Sequence, residues 1–499
     1  MTNRHIGTVA LVALIESLIA TAAFCSPASA PAEPTKENPN FLVIFEYDLG
    51  YNDLGCYGAK DPAIKTPNLD RMAEEGIRFT DWSSACSVCA PSRAALLTGR
   101  YPQRCGLPVC PNDGGFTAHY NETVGLQPSE VTIAKLLKPL GYKTAMYGKS
   151  HLGYRKEYYP KQLGFDEYYG SLGNFPIGGT GPVMEGNEVV DPAMKYQDIH
   201  QKLTDRTIAF MEQSKQQEKP FFIYLAHYLV HGPWDPNREF ATDEEWEIYQ
   251  KQPVRGHLQK GGDKIYPAMV RELDWHVGEV LDALKEKGLD KNTLVVFISD
   301  NGPWLPAGSA WPLRGSKFTT MEGGHRVPAI ARWPGSISPG QVENRLCSSM
   351  DLFPTIAGLA GCPLPQDRVY DGIDIAPILS GDKTAKGHDT FYYYNGLTLE
   401  AVRQGPWKLH LPRQKESHVY WHVAGRGGRI ATLDSPLLYN LEEEVGERSD
   451  LSQHHPEVMK RMLSLAEEAR AELGDWNRQG RDCPVSKYKG NLNKPKRTR

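Results

Sequence analysis

Apolar runs of five or six residues recur at wide intervals along the chain: Phe41-Leu42-Val43-Ile44-Phe45, Phe221-Phe222-Ile223-Tyr224-Leu225 and Thr293-Leu294-Val295-Val296-Phe297-Ile298. Continuous apolarity, as opposed to strict alternation, marks strands covered on both faces. Helical patterns lie between them. Thr66-Pro67 reads as an N-cap followed by the first helical residue and Gly76 as a stop, which predicts a helix over 67 to 75. Ser129 to Tyr142 predicts a second helix leading into a strand from Lys143 to Tyr147, and Val270, Leu273, Val277, Val280, Leu281 and Leu284 fall on one face of a third. Strands alternating with helices predict an α/β fold with a large, mostly parallel sheet sandwiched by helices. In such a fold the functional loops gather at the C-terminal ends of the strands.

From about residue 390 the pattern changes. Ala401-Val402-Arg403 and Trp407-Lys408-Leu409-His410, around a Gly-Pro turn, and Leu437-Leu438-Tyr439-Asn440-Leu441 predict short strands. Val458, Met462, Leu465, Ala466, Ala469 and Leu473 line one face of a helix over 456 to 473. A smaller C-terminal antiparallel sheet with one packing helix follows. The chain thus divides into an export signal (1 to 30), a large α/β domain (31 to 390), a smaller subdomain (391 to 480) and a basic tail (481 to 499) read as a solvated segment.

The export signal rests on Arg4 and His5, an apolar run broken only by Glu16 and Ser17, and small residues ending Ala28-Ser29-Ala30, with Ala20-Thr21-Ala22 as an alternative cut. A secreted or periplasmic protein is expected. No other stretch reaches the ~18 apolar residues of a membrane span, so no stable membrane insertion is expected. The 499 residues are 40% hydrophobic, enough for a sizeable core, and a net charge of -4 gives no reason to expect nucleic acid as a partner. Nine cysteines are too few for a disulfide-built scaffold.

The candidate chemistry sits just after two of the strands. Glu46-Tyr47-Asp48-Leu49-Gly50 follows the first, and Ser299-Asp300-Asn301-Gly302-Pro303 follows the run at 293 to 298. Carboxylate and amide oxygens leaving neighbouring parallel strands at one sheet edge would converge on a hard cation, Ca²⁺ or Mg²⁺. Taken singly, both segments also read as ordinary turns. A third segment, Cys89-Ala90-Pro91-Ser92-Arg93-Ala94-Ala95-Leu96-Leu97-Thr98-Gly99-Arg100, places Cys89 at the N-terminus of a short helix, where free N–H groups and the dipole favour an anion. A thiol there is acidified, and in an exported protein modification or pairing is expected.

That segment meets all eight fixed positions of CxPSRxxxLTGR and so resembles the signature of the type I sulfatases. DLGYNDLGCYG, GYKTAMYGKSHLG, FISDNGP, LRGSKFTTMEGGHRVPAIARWPG, GPWKLHL and LYNLEEEVGERSDL resemble sulfatase segments in family order, over about residues 39 to 475. The resemblance implies an alkaline phosphatase-like fold and oxidation of Cys89 to formylglycine by a maturation enzyme. It also implies roles: Arg93 holds the formylglycine hydrate; Asp48, Asp300 and Asn301, with the modified Cys89, bind a metal, usually Ca²⁺; Lys149 and Lys317 grip sulfate; His151 lies beside the hydrate; and His231 protonates the leaving group. His227 and His325 read as packing or hydrogen-bonding residues, and Asn121 begins a glycosylation sequon.

The resemblance breaks at Tyr47, where the family has the first of two adjacent metal-binding aspartates, and more mildly at Ser150, where it has Trp. If the segment stays extended, Glu46 and Asp48 point to one side and Glu46 replaces the lost carboxylate; otherwise metal affinity or activity is reduced, leaving a weak enzyme or a binder of sulfated ligand. Cys105 and Cys110, flanking a short loop, are the expected local disulfide. The leading function is hydrolysis of a sulfated carbohydrate or aryl sulfate. Phosphonate or phosphodiester hydrolysis and sulfated-glycan binding are the alternatives. Segments 171 to 200, 232 to 265 and 412 to 433 are expected at the pocket rim, with Trp234, Trp304, Trp311, Tyr420 and Trp421 as candidate sugar-stacking residues.

Overall fold

The computed structural model describes residues 38–111, 124–176, 178–251, 262–414 and 432–484. The export signal, the Asn121 sequon, Tyr420, Trp421 and the basic residues beyond 484 lie outside them. The main sheet has ten strands, and its middle runs Thr293–Ser299, Asn40–Glu46, Phe221–Ala226, Lys143–Gly148 and Glu167–Gly170, all parallel. Every residue of the three strands that hold the long apolar runs, Asn40–Glu46, Phe221–Ala226 and Thr293–Ser299, is buried, because helices cover both faces. Antiparallel strands extend the sheet on each side: Ala329–Arg332 beyond Thr293–Ser299, and the hairpin Thr180–Glu185 and Glu188–Lys195 beyond Glu167–Gly170. One face packs on the long helices Tyr196–Gln216 and Gly262–Glu286, whose apolar sides include Leu203, Phe210, Val270, Leu273 and Val277. The other packs on Cys89–Thr98, Ile133–Leu137 and Leu352–Leu359.

The C-terminal part is a separate four-stranded antiparallel sheet, Thr390–Asn395, Thr398–Gln404, Trp407–His410 and Leu437–Asn440, packed on the helix Pro456–Glu472. The smaller sheet is tied to the large domain by buried charge. Lys408 Nζ lies 2.8 Å from Glu322 Oε1 and 3.1 Å from Glu447 Oε1, with all three side chains fully buried. His410 Nε2 contacts the same Glu447 oxygen at 2.7 Å, and Arg403 grips Asp81 at 2.6 and 3.0 Å. Glu322 follows the loop that carries Lys317, so this network anchors that loop. Replacing Lys408 by Met removes the buried ammonium that Glu322 and Glu447 share, and is expected to cost about 3–5 kcal/mol of stability, measured as a lowered urea midpoint.

Candidate active site

The first strand ends abruptly at the site. Asp48 has φ 60°, a left-handed conformation rare outside glycine. The extended alternation expected through residue 48 therefore stops, and Glu46 and Asp48 do not share a side. Glu46 Oε1 bonds His227 Nδ1 at 3.0 Å, in a fully buried group where the His227, His200 and His276 rings stand 5.5 to 6.2 Å apart. Burial, only partly offset by the charge of Arg93, holds the Glu46 carboxyl well above the usual range. The expected compensation by Glu46 is not what the fold builds.

Asp48 instead meets residues from the neighbouring strand. Its backbone N–H donates to Asp300 Oδ1 at 3.2 Å, and Asn301 Nδ2 donates to its Oδ1 at 2.8 Å. Lys317 Nζ, arriving from the loop before Glu322, lies 2.7 Å from both Asp48 oxygens and 3.2 Å from Cys89 Sγ. Burial raises the Asp48 carboxyl to about 7 against the pull of Lys317.

Cys89 opens a helix in which every residue from Cys89 to Thr98 is buried, and Gly99 ends it at φ 67°. Burial opposes ionisation of the Cys89 thiol, but the Cys110 hydrogen bond, the ammonium charges of Lys149 and Lys317 and a hydrogen bond with His151 hold it well below its ordinary range. Arg93, one turn on, donates to Asp300 Oδ2 at 2.7 Å, to the Lys149 carbonyl at 3.2 Å and to the Tyr224 hydroxyl at 3.3 Å. Lys149 is fully buried, and desolvation lowers it to about 8. His231 Nδ1 donates to the Gly232 carbonyl at 2.7 Å, which turns Nε2 towards Asp48 Oδ2, 3.7 Å away.

The structure thus brings Cys89, Arg93, Asp48, Asp300, Asn301, Lys149, Lys317, His151 and His231 to one sheet edge. It does not pair Cys105 with Cys110: Cys105 packs into the core facing the Pro102 carbonyl, while Cys110 turns to Cys89. Tyr224 and Cys110 were missed. Tyr224 has a signal, being a polar-tipped residue in an otherwise apolar strand; Cys110 has none. Trp234 is buried and donates to the Val230 carbonyl, so it serves packing, and the buried His325 bonds the Ser84 carbonyl. Trp311 is exposed beside Lys60, and Trp304 lies 5.6 Å from Lys317 Nζ.

A hard cation finds an all-oxygen donor set in Asp48, Asp300 and Asn301, whose Oδ1 is buried without a hydrogen-bond partner. Among the described residues no three His, Cys, Asp or Glu side chains gather as a metal cage, so the set depends on that amide. The residues fit such an ion, with one carboxylate fewer than the family pattern.

Residues 39–362 match the family model described as sulfatase, and residues 386–490 the C-terminal region of aryl-sulfatase. The chain is 36% identical to mouse (Mus musculus) N-acetylgalactosamine-6-sulfatase, over 87% of this chain and 86% of that protein, and 35% identical to human (Homo sapiens) arylsulfatase A, over 86% and 87%. Among solved structures, the PsFucS1 sulfatase from Pseudoalteromonas sp. superposes with a TM-score of 0.73 at 30% identity, covering 86% of this chain and 89% of that one. Ps i-CgsB in complex with k-i-k-neocarrahexaose superposes with a TM-score of 0.71 at 29% identity, covering 86% and 92%. No helix among the described residues is long and apolar enough to cross a membrane. With both of its regions matched and relatives aligned over most of its length, the chain belongs to the sulfatase family and is a sulfuric ester hydrolase.

Proposed function

We propose that the chain removes sulfate from a sulfated carbohydrate through a formylglycine derived from Cys89. The observation that carries this reading is the position of Cys89: it opens a buried helix with Lys317 Nζ 3.2 Å from its sulfur, and Lys149, Arg93 and His151 close round it. The structure of Ps i-CgsB in complex with k-i-k-neocarrahexaose supports a carbohydrate substrate. Export, and maturation by a formylglycine-generating enzyme, belong to the same reading.

Hydrated formylglycine supplies a hydroxyl nucleophile and a second hydroxyl through which sulfate is released. A divalent cation, Ca²⁺ or Mg²⁺, held by Asp48, Asp300 and Asn301 together with modified residue 89, supplies further positive charge for the sulfuryl oxygens. The chain's own residues do the rest. Lys149 and Lys317 bind the sulfate oxygens in a site shielded from water, where fixed charges act strongly. Arg93, itself held by Asp300, orients the nucleophile. His231, with Nδ1 committed to a carbonyl, presents Nε2 as the atom that carries a proton to the departing alkoxide. His151, hydrogen-bonded to residue 89, takes the proton that accompanies sulfate release.

Mass spectrometry of the Cys89 peptide, from a host with a competent maturation system, is expected to show a loss of about 18 Da relative to the thiol. The purified protein is expected to hydrolyse an aryl sulfate at least about tenfold faster than the matching aryl phosphodiester. An intact thiol with no turnover points to a glycan binder, and a reversed ratio to a phosphodiesterase; either result overturns the reading.

A further inference from the structure

Tyr47 stands where the family pattern has an aspartate, and its ring occupies the middle of the site. It is 1% exposed. The imidazole of His231 stacks on it, with 3.7 Å between centroids and 9° between planes. The ammonium of Lys149 lies 3.0 Å from the same centroid. A parallel imidazole at that separation covers its face of the ring, so the ammonium sits on the opposite face. Lys149 Nζ is buried with no hydrogen-bond acceptor, so beside the charges of Cys89 and Asp300 its counter-group is the electron-rich ring. Lys317 Nζ and the Arg93 guanidinium stand further off, 4.8 and 5.6 Å from the centroid. The Tyr47 hydroxyl donates to Asn174 Oδ1 at 2.8 Å, away from the two faces that meet Lys149 and His231.

We propose that Tyr47 is a positioning residue that clamps Lys149 and His231, one on each face of its ring, and so sets the sulfate-gripping ammonium and the leaving-group acid at a fixed separation. The proposal rests on the roles given to those two residues above. An aspartate at this place would hold nearby cations by charge but could not stack on an imidazole. The aromatic ring does both, and this chain therefore has a coupling between its sulfate grip and its proton donor that the aspartate pattern lacks.

Misplacing a proton donor matters most when the leaving group is a poor one, since an alkoxide needs the proton and a nitrophenolate does not. Tyr47→Phe keeps both faces, and its kcat/KM is expected to stay within about threefold of the unsubstituted protein on nitrophenyl sulfate and on an alkyl sulfate alike. Tyr47→Leu is expected to lose about tenfold on nitrophenyl sulfate but about a hundredfold on the alkyl sulfate. Equal losses on the two substrates, or no loss, overturn the clamp. A readout independent of turnover is the NMR shift of the His231 ring protons, assigned by their disappearance in His231→Gln. Ring stacking displaces them upfield in the unsubstituted protein and in Tyr47→Phe, and Tyr47→Leu restores the ordinary imidazole position. An unshielded His231 in the unsubstituted protein overturns the clamp whatever the activity, whereas a shielded His231 in a protein without sulfatase turnover upholds the clamp and sinks the assigned reaction. Where Tyr47→Leu fails to fold, the other two spectra decide.

Discussion

Cys89→Ala is expected to abolish sulfate ester hydrolysis, by about 10⁴-fold or more, while leaving the fold intact. The two halves of that expectation come from different observations. Turnover goes because, in the reaction proposed above, residue 89 carries the nucleophile. The fold stays because Cys89 is a small side chain whose polar contacts are with Lys317, which keeps both Asp48 oxygens, and with Cys110 and His151. Alanine preserves the helical Cβ packing and removes one sulfur, a loss of about 1 kcal/mol or less. Urea unfolding beside an aryl sulfate assay separates the two. Residual turnover above about one part in a hundred of the unsubstituted protein would mean that another group attacks sulfur.

The second large effect is expected at Lys317. Its ammonium takes both Asp48 oxygens at 2.7 Å and sits 3.2 Å from the Cys89 sulfur, so one charge serves two groups. Lys317→Met keeps the length of the side chain and removes the charge. Loss of a preorganised donor aimed at the sulfuryl oxygens is expected to lower kcat by about 10²–10³-fold. Asp48, buried and left without its cation, keeps only the Asn301 amide as a side-chain donor and is driven further towards the neutral acid, and stability falls by about 3–5 kcal/mol. Steady-state kinetics and urea unfolding on the same preparation check both. A variant that loses stability but keeps its kcat would show that Lys317 supports Asp48 without meeting the substrate. Lys317→Arg restores the charge but not the fit, since the planar fork cannot occupy the narrow space between Asp48 and Cys89.

Legibility in the sequence followed burial. The strands at 41 to 45, 221 to 225 and 293 to 298 were plain because helices cover both faces and every position must be apolar. The strands at and next to the sheet's margins were not. Ile77–Phe79 and Gln341–Glu343 are three residues each, and Glu188–Lys195 leaves Val189 and Val190 half-exposed, so none carries a clean period. The site residues were readable as a set from motif order, and their convergence follows from neighbouring parallel strands ending at the same edge. What failed were inferences that depended on local geometry. The alternation that would have put Glu46 beside Asp48 does not survive a left-handed residue at 48, and the short spacing of Cys105 and Cys110 says nothing about which way a loop turns. The contact of the Tyr47 ring with His231 joins residues 184 positions apart and has no trace in either segment taken alone.

The complete burial of Cys89–Thr98 also sets a clock. On the maturation proposed above, the enzyme that grasps this segment to oxidise Cys89 can do so only while the chain is still open, because in the finished fold the helix lies beneath the sheet edge and the C-terminal sheet. Oxidation and folding therefore run as competing rates, and a molecule that folds first is sealed with its thiol in place. The active fraction of a preparation is then fixed once, during synthesis, and slowing the closure of the fold raises it where adding more oxidising enzyme afterwards does not.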